Sequence, residues 1–119
     1  MPHQKQTIGK IGEDLAEKYL LNKGYKILQR NYRYGHGEID IIANDKNILV
    51  FIEVKTRNNL EFGPPELAVT KSKQRQIRKI AESYLYEKEI KDTDCRIDVI
   101  GILLIKNQEP QINHIVNAF

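Results

Sequence analysis

The chain has 119 residues, enough to bury one core and too few for two, so any activity must come from one compact site. Hydrophobic residues make up 40% and charged residues 29%, a globular balance that excludes a disordered chain, and no apolar run is long enough to span a membrane. The net charge of +3 points only mildly toward polyanions, while the single cysteine, Cys95, excludes an internal disulfide or a cysteine-built zinc site.

From Thr7 to Gly24, Ile8, Ile11, Leu15 and Tyr19, with Ala16 and Leu20 beside them, recur at spacings of three and four. That is the period of an amphipathic helix, and Gly24 ends it. Before this helix, Met1-Pro2-His3-Gln4-Lys5 lacks the apolar core of a signal peptide, which together with the lone cysteine predicts a cytoplasmic protein. Tyr25 to Tyr34 reads as a strand, turned by Gly35-His36-Gly37 into a second strand, Glu38 to Ala43. Asn44 to Asn47 is a polar turn, and Ile48 to Lys55 is the third strand. Two runs this close form a hairpin. The third strand is apolar on both faces through Ile52, as a central strand covered from both sides must be.

Asn58-Asn59, Gly63 and Pro64-Pro65 make 56–69 a long loop, and loops of that length in small domains often carry function. Thr70 caps a second helix with a core stripe of Ile77, Ile80, Ala81, Tyr84 and Leu85. After a mixed-charge connection come a fourth strand, Cys95 to Ile105, and a fifth, Gln111 to Val116. The order is αβββαββ over 1–119, with no repeat and no linker dividing it, so a single domain is expected.

Three ionisable residues stand where a core strand should have none: Asp40 within an apolar run, and Glu53 and Lys55 at the end of the most apolar strand. An unpaired charge in a core costs several kcal/mol, so such groups persist when paired, bound to metal, or opened onto a cleft. Glu53 and Lys55 share a face of their strand. If the hairpin turns through Asp45 to Ile48, Asn44 pairs with Leu49 and Asp40 falls opposite Glu53, with Cβ atoms roughly 5 Å apart. Two carboxylates so placed repel unless a hard divalent cation lies between them, and all-oxygen ligation suits Mg2+ or Mn2+. Lys55 would then stand within reach of a water at the ion and of a scissile phosphate. The same residues also suit a structural ion pair, Glu53 with Lys55, beside a satisfied Asp40.

Gly37-Glu38-Ile39-Asp40 followed by Glu53-Val54-Lys55 resembles the PD-(D/E)xK nuclease motif, with Gly-Glu-Ile where the shorthand has proline. Together with Gly9, Gly12-Glu13, Gly24-Tyr25, Phe51 to Arg57, Phe62-Gly63, Lys73, Arg96-Ile97-Asp98 and Asn117-Ala118-Phe119, these residues resemble the bacterial YraN family, which is similar to archaeal Holliday-junction resolvases. The resemblance implies a restriction-endonuclease-like α/β fold, with a central mixed sheet of about five strands flanked by helices. It also implies a metal-dependent nuclease acting on DNA, with branched or junction DNA favoured, and a possible homodimer. In that reading Asp40, Glu53 and Glu13 bind the metal, Lys55 is catalytic with them, and Lys73 and Gln74 assist. Glu13 is equally readable as an exposed helical glutamate.

Two acid-free basic runs supply phosphate-binding candidates: Lys71, Lys73, Arg75, Arg78 and Lys79, and Lys23, Lys26, Arg30 and Arg33. Arg30, Arg33, Arg57, Lys71, Arg75 and Arg78 are taken as the nucleic-acid-binding set, although basic runs are also ordinary solvated faces. His36 is a turn residue, His114 reads as structural, Asp98 as the partner of Arg96, and Cys95 has no base to activate it. The competing function is a nucleic-acid-binding or assembly module that keeps the fold without turnover.

Overall fold

The computed structural model describes residues 7–119; the Met1 to Lys5 segment read above for a signal peptide lies outside the described residues. The elements follow the expected order: α1 (Ile8–Asn22), β1 (Lys26–Tyr34), β2 (Gly37–Asp45), β3 (Ile48–Arg57), α2 (Lys71–Glu87), β4 (Cys95–Leu103) and β5 (Gln111–Ile115). The strands form one mixed sheet in the spatial order β1-β2-β3-β4-β5, with β3 parallel to β4 and the other pairs antiparallel. β3 lies at the centre, as its two apolar faces require. Among the described residues no helix is long and apolar enough to cross a membrane.

Alternation along β3 divides the core into two layers. Val50 and Ile52 join Ile41, Ala43, Ile100 and Ile102 under Ala16 and Leu20 of α1. Leu49 and Phe51 face the other way with Ile39, Ile42 and Ile97, against Ile77, Ile80, Ala81 and Tyr84 of α2. Each fully buried large side chain here contributes roughly 1.5–3 kcal/mol. The α2 stripe and its Thr70 cap, whose side chain accepts from the Lys73 amide, match the sequence reading.

The α1 stripe matches in part, with Ala16 and Leu20 buried and Leu15 and Tyr19 packed beside them. Its buried line is Gly12, Ala16 and Leu20, while Ile8 and Ile11 are 38% and 37% exposed. The small residues let α1 press against β3, where a Cβ at Gly12 would overlap the Thr56 side chain. That close seat rotates the helix and leaves its first isoleucines at the rim.

The β2–β3 hairpin turns on Lys46 and Asn47, both at positive φ (49° and 72°), the mirror-image turn that suits twisted strands. Asn44 Oδ1 accepts the Asn47 amide at 3.0 Å. The expected register follows, with Asn44 opposite Leu49, but the ladder ends at Ile41 opposite Ile52. Ile39 and Ile42 pack on the α2 side and Ile41 on the α1 side, so the alternation of β2 breaks at Asp40. Across from this break, Asn31 of β1 takes a left-handed φ of 53°.

The segment expected as an open loop is more ordered than that. β3 continues to Arg57, paired with Leu103, and Pro65–Leu67 forms a short 3-10 turn. Glu66 lies against Gly101 of β4, leaving no room for a side chain there.

Away from these features, Asp98 ties β4, β5 and the C-terminal residues together. It is fully buried and accepts from Arg96 Nε at 3.0 Å and the Asn117 amide at 2.9 Å, and it meets His114 Nε2 at 2.7 Å. Arg96 continues to the Tyr25 hydroxyl at 2.6 Å and to Asp45 at 3.1 Å. Burial alone would push the Asp98 carboxyl up, but these partners hold it below the ordinary carboxylate range. Its stabilising contribution is therefore present above the unfolded-state value near 4 and is lost as pH falls through the lower folded-state value. Asp98→Ala leaves Arg96 without its buried counter-charge, and urea denaturation should show a loss of about 3–5 kcal/mol. A loss near zero would mean the cluster is not structural.

Candidate metal and active site

Carboxylates from α1 and β2 converge at the place where the β2–β3 ladder stops. Carboxylate oxygens of Glu13, Glu38 and Asp40 lie within 4.8 Å of one another. Helix α1 carries Glu13 there because its Gly12–Ala16–Leu20 line seats it against the sheet. Asp40 uses Oδ2 to accept the Val54 amide at 2.8 Å, so its side chain takes over where the backbone pairing ends. The Glu53 carboxyl of β3 adjoins that of Asp40 closely enough to share a proton with it.

Asp40 and Glu53 are 7% and 5% exposed. Burial, then the contact with Glu53 and its charge, pushes the Asp40 carboxyl up to about 9, against the opposing Val54 amide. Lys73 Nζ stands 3.5 Å from Glu53 Oε2, an ion-pair distance, yet that buried oxygen accepts no hydrogen bond. A buried carboxylate oxygen that accepts no hydrogen bond, next to Asp40, which itself lies with Glu13 and Glu38, suits a hard divalent cation. Four acids offering only oxygen fit Mg2+ or Mn2+ better than zinc.

The remaining groups position these acids. Asn31, held at its left-handed φ, donates Nδ2 to Glu13 Oε1 at 3.0 Å and to Glu38 Oε1 at 3.2 Å. Arg30 reaches Glu13 at 3.2 Å and Asp14 at 2.7 Å, with Glu17 at 3.9 Å, and is mostly buried. Expected to meet phosphate, Arg30 instead is engaged by three α1 carboxylates and fastens Glu13 to β1. Its shape explains this, because a planar guanidinium matches paired carboxylates that a surface lysine would leave to water.

The structure brings together Glu13, Asp40, Glu53 and Lys73 of the expected site. Lys55 is half-buried one position along the same β3 face from Glu53, and among the described residues no hydrogen bond or ion pair ties its ammonium. Gln74 does not join the acids; its Nε2 donates to the Val69 carbonyl at 3.3 Å and closes the entry to α2. Of the basic candidates, Arg33 Nε lies 3.3 Å from Glu38 with its side chain 80% exposed, and Arg57 stacks on Phe62 at 5.8 Å. Lys71 and Arg75 are exposed on α2. Arg78 lies over the Phe119 ring at 5.7 Å, in a hollow it shares with Cys95 and Ile97, away from the acids.

Glu38 is the acid that sequence reasoning passed over as motif filler. Its signal was present: it stands two residues before Asp40 in the same strand. Asn31 left no signal, since its role depends on the bend in β1.

The raised Asp40 carboxyl sets a pH dependence. Stability linked to it is present below about 4 and is lost as pH rises toward 9, because the folded state holds the proton more tightly than the unfolded chain. In chelator, Asp40→Asn should therefore melt above the parent at pH 8, with the margin shrinking as pH falls toward 5. A margin that is constant across that range would refute the buried acid pair.

Comparison with known proteins gives a family and a fold. Residues 12–102 match the uncharacterised protein family UPF0102. A UPF0102 protein of Geobacter sulfurreducens is 48% identical over 117 residues, covering 98% of this chain and 91% of its own. Another, from Caldanaerobacter subterraneus, is 46% identical and covers 97% of this chain and 96% of its own. Among solved structures, the Holliday junction resolvase Hjc of Archaeoglobus fulgidus superposes with a TM-score of 0.54 at 19% identity, over 88% of this chain and 75% of that one. At that identity the likeness concerns the fold, which is restriction-endonuclease-like. On its own sequence and that of its relatives, the chain belongs to the UPF0102 family, the YraN family of the sequence resemblance.

Proposed function

We propose that this protein is a metal-dependent nuclease that hydrolyses phosphodiester bonds in DNA, with branched or junction DNA its favoured substrate. The observation that carries the reading is the buried Asp40–Glu53 pair, with one oxygen lacking a donor, opening onto Glu13 and Glu38. Lys73 alone, at 3.5 Å from that oxygen, leaves the acid pair undercompensated. The fold shared with a Holliday junction resolvase adds support.

In this reading Asp40, Glu53 and Glu13 hold Mg2+ or Mn2+, with Glu38 completing the set. The ion would supply Lewis-acid polarisation of the phosphate and a lowered pKa for an attacking water. Lys55 Nζ orients that water and offsets charge developing on the scissile phosphate. Lys73 Nζ neutralises Glu53, and Asn31 and Arg30 keep Glu13 in place. Arg33, Arg57, Lys71 and Arg75 contact phosphates to either side, so binding weakens steeply with salt. Cutting both strands of a junction would require a homodimer. The setting is the cytoplasm, where Cys95 stays reduced.

One observation favours a binding module without turnover: Lys73 already supplies a positive charge to Glu53, as a metal would. Incubating the protein with linear, flap and four-way DNA, in Mg2+, Mn2+ or chelator, separates the two readings. Glu53→Ala and Lys55→Ala should each lower cutting by about a hundredfold or more, as loss of one preorganised charge does elsewhere, and chelator should abolish it. Equal binding by parent and variants with no cutting of any substrate would establish the binding module. Cutting that survives both substitutions would remove these residues from the chemistry.

A further inference from the structure

Beside the acid cluster, the turn between β1 and β2 faces α2 across an open groove of about 400 Å³, lined by Tyr34, His36, Gly37, Arg75, Gln76 and Lys79 among others. A second hollow of about 420 Å³ shares Gly35, His36 and Gly37 with it and opens onto Glu38 and Lys73. The groove therefore runs from the site itself to the outer face of α2. We propose that it is a subsite for an unpaired strand of the nucleic acid, with one base stacked on Tyr34 and the backbone held by Arg75 and Lys79; the inference rests on the nuclease reading above and extends it to the substrate's shape.

Four observations support the assignment. Tyr34 is 52% exposed, so its ring is available to a base. Arg75 and Lys79 are four residues apart on one side of α2, and both are exposed. Among the described residues no carboxylate lines this groove; Glu82 and Glu87 line the adjoining hollow, which shares Tyr34 and Lys79, and would turn an anionic backbone toward the Arg75 side. The turn also packs close to α2, since a Cβ at Gly37 would meet the side-chain ends of Ile80 and Gln76. The turn is seated on α2, and Gly37 immediately precedes the acidic Glu38.

The dimensions match a strand leaving the site. Lys73 to Lys79 covers six residues of helix, about 9 Å, or two to three base steps at roughly 3.4 Å each. Stacking requires an exposed base face, which a continuous duplex hides and a flap, gap or junction arm presents. A tyrosine with two flanking cations is the sequence-tolerant combination that single-strand grooves use. Its place next to Glu38 would let the protein prefer a phosphate where paired and unpaired strands meet.

The test measures binding by fluorescence anisotropy, with calcium replacing magnesium. The probes are a duplex with a short single-stranded arm carrying 2-aminopurine, and a blunt duplex of equal length. Tyr34→Ala should weaken binding of the armed duplex roughly tenfold and remove the 2-aminopurine quenching, while the blunt duplex changes by less than about twofold. Tyr34→Phe should keep both. Arg75→Ala and Lys79→Ala should each reduce the salt slope by about one. Tyr34→Ala matching the parent on the armed duplex, or weakening both probes equally, would overturn the subsite. Because binding is read without turnover, loss of the groove effect alongside Glu53-dependent cutting would sink only this inference. A Tyr34 effect without any cutting would sink only the nuclease, and a parent that binds neither probe would sink both.

Discussion

Asp40 and Glu53 sit almost out of water with their carboxyl groups in contact, and two such groups cannot both be ionised without a cation or a proton between them. The surroundings of the pair follow from that constraint. The Val54 amide donates to Asp40, Lys73 approaches Glu53, and Asn31 and Arg30 hold Glu13. Each partner lowers the repulsion without cancelling it, since one Glu53 oxygen still has no donor. In the proposed function that deficit is what a cation would fill.

The scaffold places this deficit at a defect in an otherwise regular sheet. Pairing between β2 and β3 ends one step before Asp40, the alternation of β2 breaks there, and β1 answers with a left-handed Asn31. A regular ladder would have directed Asp40 by alternation alone and kept Val54 for the backbone. The break instead frees the amide for the Asp40 carboxylate and turns Asn31 toward Glu13 and Glu38. Local irregularity of this kind costs about 1–3 kcal/mol per residue and persists where the surrounding structure holds it. Here the two core layers on either side of β3 do so.

A second polar cluster serves a different end. Asp98, Arg96, His114 and Tyr25 satisfy one another completely around a buried carboxylate whose proton affinity is lowered, the reverse of Asp40. Two buried aspartates in one small domain thus diverge according to their partners: donors surround one and acids surround the other. The satisfied cluster fastens the sheet's far edge, and the unsatisfied one faces the groove by α2.

The sequence by itself determined the element order, the central place of β3, the α2 stripe and the β2–β3 register. Each depends on local periodicity or on turn chemistry between neighbouring segments. It also singled out Asp40 and Glu53, because charges inside apolar runs conflict with the pattern around them, while Glu13 entered only through the family resemblance. Only the tertiary structure decided what depends on how elements seat against each other. Gly12 rotated α1 so that Ile8 and Ile11 reached the rim, Arg30 was drawn to α1 rather than left for phosphate, and Gln74 turned to Val69. Asn31 entered the site because its left-handed backbone, opposite the break at Asp40, brings its amide to Glu13 and Glu38, which alternation along β1 does not encode.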